Sequence, residues 1–303
     1  MVAVFGHRGA RGLLPENTLA GFALAKSLGL TGVEFDIGMT KDDILIVHHD
    51  PRLNPDIARD QNGAYVGAPA ALLRKLTYQQ LATYDIGRLR PGADYTKRFS
   101  RQEAQDGARI PLFDEVLSVC AGLDMLIEVK SFPNQPDDTA SPQILVQAII
   151  QHLRAHHLLD HAILFAFDWR ALDEAARLEP HLRRCCLTDL STIQNARLWF
   201  GQADLSDFRP QQAGEVPRIV AATGAKIWAP DFETLDRCEV ERAHDLGLLV
   251  IPWTVNEVDE ISRMLQLGVD GMISDWPDHV LETMEKQGIR PAPPGFIASQ
   301  CPV

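Results

Sequence analysis

The feature that most constrains this chain is a repeated switch between two hydrophobic patterns. Short runs dominated by apolar residues recur at 2–7, 32–36, 123–130, 161–167, 182–187, 225–229, 248–253 and 269–274. Runs this short and this apolar read as strands buried on both faces. Longer segments of helical period separate them, over 18–27, 111–120, 143–156, 170–178, 214–222, 235–246, 259–267 and 278–287. Buried strands alternating with helices require a parallel sheet covered by helices. Eight such units in about 250 residues match a (β/α)8 TIM barrel. A doubly wound open sheet is the competing architecture, but no GxGxxG follows the first strand to support it.

One stretch breaks the rhythm. After the second strand comes a further extended run, "ILIVHHD" over Ile44–Asp50, and then residues 51–109 with no complete strand–helix unit. A segment that long is expected to be functional or an inserted subdomain. It holds all four tyrosines, Tyr65, Tyr78, Tyr84 and Tyr95. From Arg52 to Arg109 there are ten Lys/Arg against six Asp/Glu, a formal +4 in a chain of net charge −12. Because it leaves the second strand, it is expected to cap the catalytic face. The predicted organisation is one barrel domain, 1–290, with 51–109 as an inserted cap and 291–303 as an irregular C-terminal tail.

Composition excludes several classes. The net charge of −12 argues against nucleic acid as a partner. No apolar run approaches the roughly 20 residues that span a bilayer. No basic and apolar leader opens the chain, and Cys120, Cys185, Cys186, Cys238 and Cys301 are scattered and odd in number. Both features point to reduced thiols in a cytoplasmic setting, with a processed periplasmic form left open. The expected partner is a small molecule; nothing in the sequence sets an oligomeric state.

A barrel carries its site at the C-terminal ends of its strands. There the sequence places His7 and Arg8, then Glu34 and Asp36, His49 and Asp50, Glu128 and Lys130, Phe167, Trp253 and Asp275. Glu34 and Asp36 are two apart on a strand and share a face, as do Glu128 and Lys130. Three converging carboxylates repel one another unless a cation neutralises them. Oxygen donors of this kind suit Mg²⁺ or Ca²⁺. Spacing alone leaves two readings, a metal site or a strand end neutralised by Arg8 and Lys130. His7 and His49 are candidate general acid and base, since histidine titrates nearest neutrality. His48 alternates to the other face and is expected to be packed. Arg8 offers a fork of donors for phosphate or carboxylate. Asn17 and Thr18 are read as helix caps, and Asp50 as the start of a turn.

Taken together, "HRGARGLLPENT", "GVEFDIGMTKDDILIVHHD", "RIPLFDEVL", "LIEVK", "WTVN" and "GVDGMISDWPD" resemble the glycerophosphodiester phosphodiesterase family, in the same order from Phe5 to about Asp278. The resemblance implies a (β/α)8 barrel that hydrolyses glycerophosphodiesters to sn-glycerol 3-phosphate and an alcohol. It implies one divalent cation, Mg²⁺ or Ca²⁺ with Mn²⁺ as a third choice, on Glu34, Asp36 and Glu128. His7 and His49 become the acid/base pair, and Arg8 and Lys130 the phosphate holders. Phe167 and Trp253 are expected to line the substrate pocket. The sequence departs from the family in carrying "HHD" where an apolar residue commonly precedes the HD pair. Two other readings fit the same barrel: a lysophospholipase D- or sphingomyelinase D-like enzyme, and a phosphate-binding protein that has lost catalysis.

Overall fold

The computed structural model describes residues 1–301; the last two residues of the predicted tail lie outside them. Eight parallel strands form the barrel: β1 (Ala3–Gly6), β2 (Gly32–Met39), β4 (Asp124–Val129), β5 (Ala162–Ala166), β6 (Arg183–Thr188), β7 (Ile227–Pro230), β8 (Leu249–Val250) and β9 (Gly271–Ser274). Their order is β8-β7-β6-β5-β4-β2-β1-β9. The ring closes through Asp270 N–H on the Val250 carbonyl at 3.0 Å and Ile273 N–H on the Pro252 carbonyl at 3.0 Å. The extended run after the second strand becomes β3 (Leu45–Val47), folded back antiparallel on β2 with Ile37 opposite Val47.

The near-continuous hydrophobicity of the strands follows from a core on each face. Along β1, Ala3 and Phe5 point into the barrel and Val4 packs under the helices. Along β4, Leu126 points inward while Met125 and Ile127 face outward. This parity carries upward to the site. On β2, Val33 and Phe35 belong to the outer layer, so Glu34 and Asp36 take the inward positions. Glu128 continues the inward series of Leu126. Apolar packing at the bottom of the barrel thus aims carboxylates into its mouth.

The tail differs from expectation. Ala292 N–H bonds the Val2 carbonyl at 2.9 Å, and Thr31 donates to the Ala292 carbonyl at 2.6 Å. A short helix, Phe296–Gln300, follows, and the buried Asp124 carboxylate accepts the N–H groups of Gly295 at 3.1 Å and Ile297 at 3.4 Å. Ile297 and Cys301 join the core inside the barrel. The open lower end exposes apolar side chains, and this plug covers them, a benefit invisible in a Pro- and Gly-rich run. All five cysteines are free thiols, four of them buried.

Residues 51–109 build their own small core, in which Leu53, Leu73, Leu81 and Ile86 pack with Ile46 of β3 and with Ile110. Several of its basic residues are neutralised. Arg59 and Arg88 pair with Asp106 inside the segment, while Arg74 and Arg101 reach Asp43 and Asp278 of the barrel. A short helix, Asp94–Arg98, comes to lie beside the barrel mouth, where Arg98 lines the central cavity.

Candidate active site

The first strand ends in a turn that only glycine permits. A Cβ on Gly6 would fall 1.8 Å from the Gly9 carbonyl oxygen, and Gly9 itself sits at φ +91°. Between them Arg8 is held at φ 50°, a conformation that non-glycine residues adopt at a cost. The turn points the Arg8 N–H at Glu34 Oε2, 3.1 Å away. His7, Arg8, Glu34, His49 and Glu128 line one side of a cavity of about 220 Å³. Phe165, Phe167, Leu187, Trp253 and Ile273 line the other, with Phe167 and Trp253 edge to face at 5.3 Å. The mouth is therefore half ionic and half apolar.

Both histidines are oriented by carboxylates. His7 Nδ1 lies 2.6 Å from Asp275 Oδ1, leaving Nε2 facing Glu34 Oε2 at 3.6 Å. His49 Nδ1 lies 2.7 Å from Asp50 Oδ1. Burial lowers both imidazoles to about 4, reinforced by Arg11 at His7 and by Lys130 and Arg8 at His49, against the pull of the carboxylates. With Nδ1 turned to its carboxylate, each ring leaves Nε2 free to exchange a proton. His48, in contrast, is 2 % exposed and bonds the Arg52 carbonyl through Nε2 at 3.2 Å, away from the cavity.

Glu34, Asp36 and Glu128 each bring one carboxylate oxygen to within 4.8 Å of the others. Burial, Asp36 and Glu128 raise the Glu34 carboxyl well above its ordinary value. Burial and Asp36 push Glu128 up to about 7, against the Lys130 ammonium 2.7 Å away. Burial also disfavours ionised Asp36, but His49, Arg8, Lys130 and the Asn17 amide at 2.9 Å hold its carboxyl below the usual range. Glu34 Oε1 and Asp36 Oδ1 are buried with no hydrogen-bond partner among the described residues. Three crowded carboxylates with unspent oxygens are a donor set that fits a hard divalent cation.

Comparison with known proteins adds a decisive observation. The model of the glycerophosphoryl diester phosphodiesterase family matches residues 7–279. The chain belongs to that family. A protein of Silicibacter pomeroyi classed as a glycerophosphoryl diester phosphodiesterase superposes with a TM-score of 0.86 at 33% identity, covering 95% of each chain. A glycerophosphodiester phosphodiesterase of Caldanaerobacter subterraneus is 25% identical over 94% of this chain and 98% of its own. An Oleispira antarctica phosphodiesterase, in complex with the product sn-glycerol 3-phosphate, shares the fold at a TM-score of 0.69 and 20% identity, covering 93% of this chain and 96% of that one.

Sequence placed Asp275 and Asp50 at the mouth of this family member's site without these roles, and gave no sign of Glu16 or Tyr95 there. Asp275 is fully buried and holds His7, a bidentate Arg11 at 2.7 and 2.9 Å, and the Asn256 amide at 2.9 Å. Glu16 accepts from Arg8 Nη1 at 2.9 Å and from the Tyr95 hydroxyl of the inserted segment. Asp50 orients His49 rather than merely opening a turn. Thr18 alone caps the helix Leu19–Ser27, whereas Asn17 turns to Asp36. The available signal was the isolated acid after a strand end, as in Ser274-Asp275. Lys130 is 5 % exposed and committed to Glu128 and Asp36, so its charge acts on the carboxylates directly. No helix among the described residues is long and apolar enough to cross a membrane.

Proposed function

We propose that this enzyme hydrolyses glycerophosphodiesters to sn-glycerol 3-phosphate and an alcohol, with His7 and His49 as its acid/base pair. Glu34, Asp36 and Glu128 would hold one divalent cation, Mg²⁺ or Ca²⁺, with Mn²⁺ as the third candidate. Bound there, the cation supplies charge neutralisation and polarisation of a phosphoryl oxygen. The observation that carries the reading is the convergence on one cavity of two carboxylate-oriented imidazoles and of Glu34 and Glu128, whose carboxylates cluster with that of Asp36.

The remaining chemistry belongs to the chain. One imidazole Nε2 removes the proton of the attacking hydroxyl and the other histidine, protonated in that step of the cycle, gives a proton to the leaving alkoxide. In this reading the neighbouring glycerol hydroxyl attacks first. A cyclic phosphate forms, and water opens it with the roles exchanged. Arg8, anchored by Glu16, presents its remaining donors to the phosphate, and Lys130 balances the carboxylates beneath it. Phe167 and Trp253 give the glycerol or alcohol carbons an apolar wall.

The test is alcohol release from glycerophosphocholine, glycerophosphoethanolamine, glycerophosphoglycerol and a lysophospholipid, with and without chelator. Turnover of the water-soluble diesters that stops in EDTA and returns with Mg²⁺, Mn²⁺ or Ca²⁺ supports the reading. Full turnover in chelator sinks the metal role, and cleavage of the lysophospholipid alone replaces the substrate class.

A further inference from the structure

The carboxylate that orients His7 is itself held. His7 Nδ1 lies 2.6 Å from Asp275 Oδ1. Arg11 takes both oxygens of that carboxylate, Nε donating to Oδ1 at 2.7 Å and Nη2 to Oδ2 at 2.9 Å, while the Asn256 amide donates to Oδ2 alone at 2.9 Å. Two parallel bonds from a planar fork fix the plane of a carboxylate as well as its place. Oδ1 therefore faces His7 in one orientation. The Arg11 N–H also bonds the His7 carbonyl at 3.2 Å, so one short turn carries both the ring and the group that fixes its partner.

Arg11 is gripped from the other side by the inserted segment. Its Nη1 donates to the Tyr95 hydroxyl at 3.3 Å, and its guanidinium lies 4.6 Å from the centroid of the Phe99 ring. The Gln102 amide donates to the Arg11 carbonyl at 2.7 Å, and the Glu103 N–H to the Leu13 carbonyl at 2.9 Å. Phe99 is buried and packs on Trp276, the neighbour of Asp275, with ring centroids 6.5 Å apart. An ion pair as buried as Arg11–Asp275 adds little net stability, because desolvation offsets the attraction. What this one adds is geometry: a rigid link from the inserted segment to an imidazole at the barrel mouth.

We propose that Arg11 is a positioning residue for His7, and that Tyr95, Phe99 and Gln102 hold it in register, which makes the inserted segment a brace for the acid/base pair. This rests on the phosphodiesterase reading above and adds the residues that hold its chemistry in place.

The experiment compares wild type, Arg11→Lys and Phe99→Leu on glycerophosphocholine and glycerophosphoglycerol, at a temperature where circular dichroism shows each protein folded. Lysine keeps the charge but is a point donor that cannot hold both carboxylate oxygens in plane. Leucine keeps apolar bulk but removes the aromatic face beneath the guanidinium, at a position outside the cavity lining among the described residues. Arg11→Lys lowers kcat by about 10–100-fold, the order expected for a misplaced reacting group, with KM within about threefold. Phe99→Leu lowers kcat in the same sense by about three- to tenfold, again with little change in KM. Proton NMR of the substrate-free protein reads the brace directly. The His7 Nδ1 proton, identified by its loss in His7→Ala, is a resolved downfield signal in wild type and broadens by exchange with water in both variants. Arg11 lines the cavity, so a tenfold rise in KM with kcat within about threefold of wild type in Arg11→Lys would make it a substrate-binding residue and overturn the proposal. A lower melting temperature with kcat and the ring-proton signal unchanged would reduce the pair to a structural one and overturn it too. Wild-type kcat and signal in Phe99→Leu overturns the part given to the inserted segment, and Phe99→Leu alone decides by the same readouts if Arg11→Lys does not fold. Absence of turnover on every diester in the wild type refutes the phosphodiesterase reading instead, and the ring-proton signal still tests the brace.

Discussion

Replacing Asp275 by Asn separates the two tasks this carboxylate performs. Its side chain is fully buried, and so nearly is Arg11, at 4 % exposed. Removing one partner of a buried charge pair costs about 3–5 kcal/mol, because the other charge stays in a dry site. Asparagine keeps the shape and one acceptor, which places the loss at about 3 kcal/mol, the lower end of that range. For a chain of this size that is a fall in melting temperature of about 6 °C, on a scale of about 2 °C per kcal/mol. The second task is the tautomer of His7. An amide NH₂ facing Nδ1 favours the ring with its proton on Nε2, so the nitrogen that must accept a proton is blocked. The loss of turnover is about 10²–10⁴-fold, the range for a disabled general base. The assay is kcat on a glycerophosphodiester at a temperature where circular dichroism shows the variant folded, beside a thermal melt. Burial disfavours ionised Asp275, but Arg11 and His7 hold its carboxyl well below the ordinary value, so its stabilisation is full above an unfolded pKa of about 3.9. The stability gap between wild type and Asp275→Asn should therefore narrow as pH falls below about 4. Turnover within about threefold of wild type in the folded variant refutes the orienting role.

Other expectations follow from the same geometry. Glu34→Gln removes a carboxylate repelled by Asp36 and Glu128, so calorimetry should show loss of divalent-cation binding while the chelated protein melts no lower than wild type; unchanged affinity for Mg²⁺ or Ca²⁺ counts against the triad. His49→Ala should lower kcat by about 10²–10⁴-fold, and His48→Ala, whose ring contacts only the Arg52 carbonyl among its hydrogen-bond partners, by far less; the reverse order would assign the chemistry to His48. Tyr95→Phe leaves a buried Glu16 oxygen without its hydroxyl partner, a cost of about 1–3 kcal/mol. A lower melting temperature with KM rising more than kcat falls is expected, and an unchanged melt and KM would show that the inserted segment docks without this bond.

Sequence determined the parts of this protein that depend on local pattern. Strand period and parity placed Glu34, Asp36, Glu128 and His49 on the face that lines the barrel mouth, because alternation along a strand follows from backbone geometry alone. The Gly6–Gly9 turn is local in the same sense, since a Cβ on Gly6 would meet the Gly9 carbonyl oxygen. Tertiary structure decided what no local pattern encodes. His7 meets Asp275 across 268 positions, a contact created when β9 pairs with β1. Tyr95 meets Glu16 across 79 positions, through a segment whose fold rests on its own small apolar core. The C-terminal residues look like loop in isolation and become a plug only because an open barrel end offers apolar surface to cover. Partners such as these are set by chain closure and by the burial of surfaces distant in sequence, where desolvation makes an unpaired charge costly enough to dictate its neighbour.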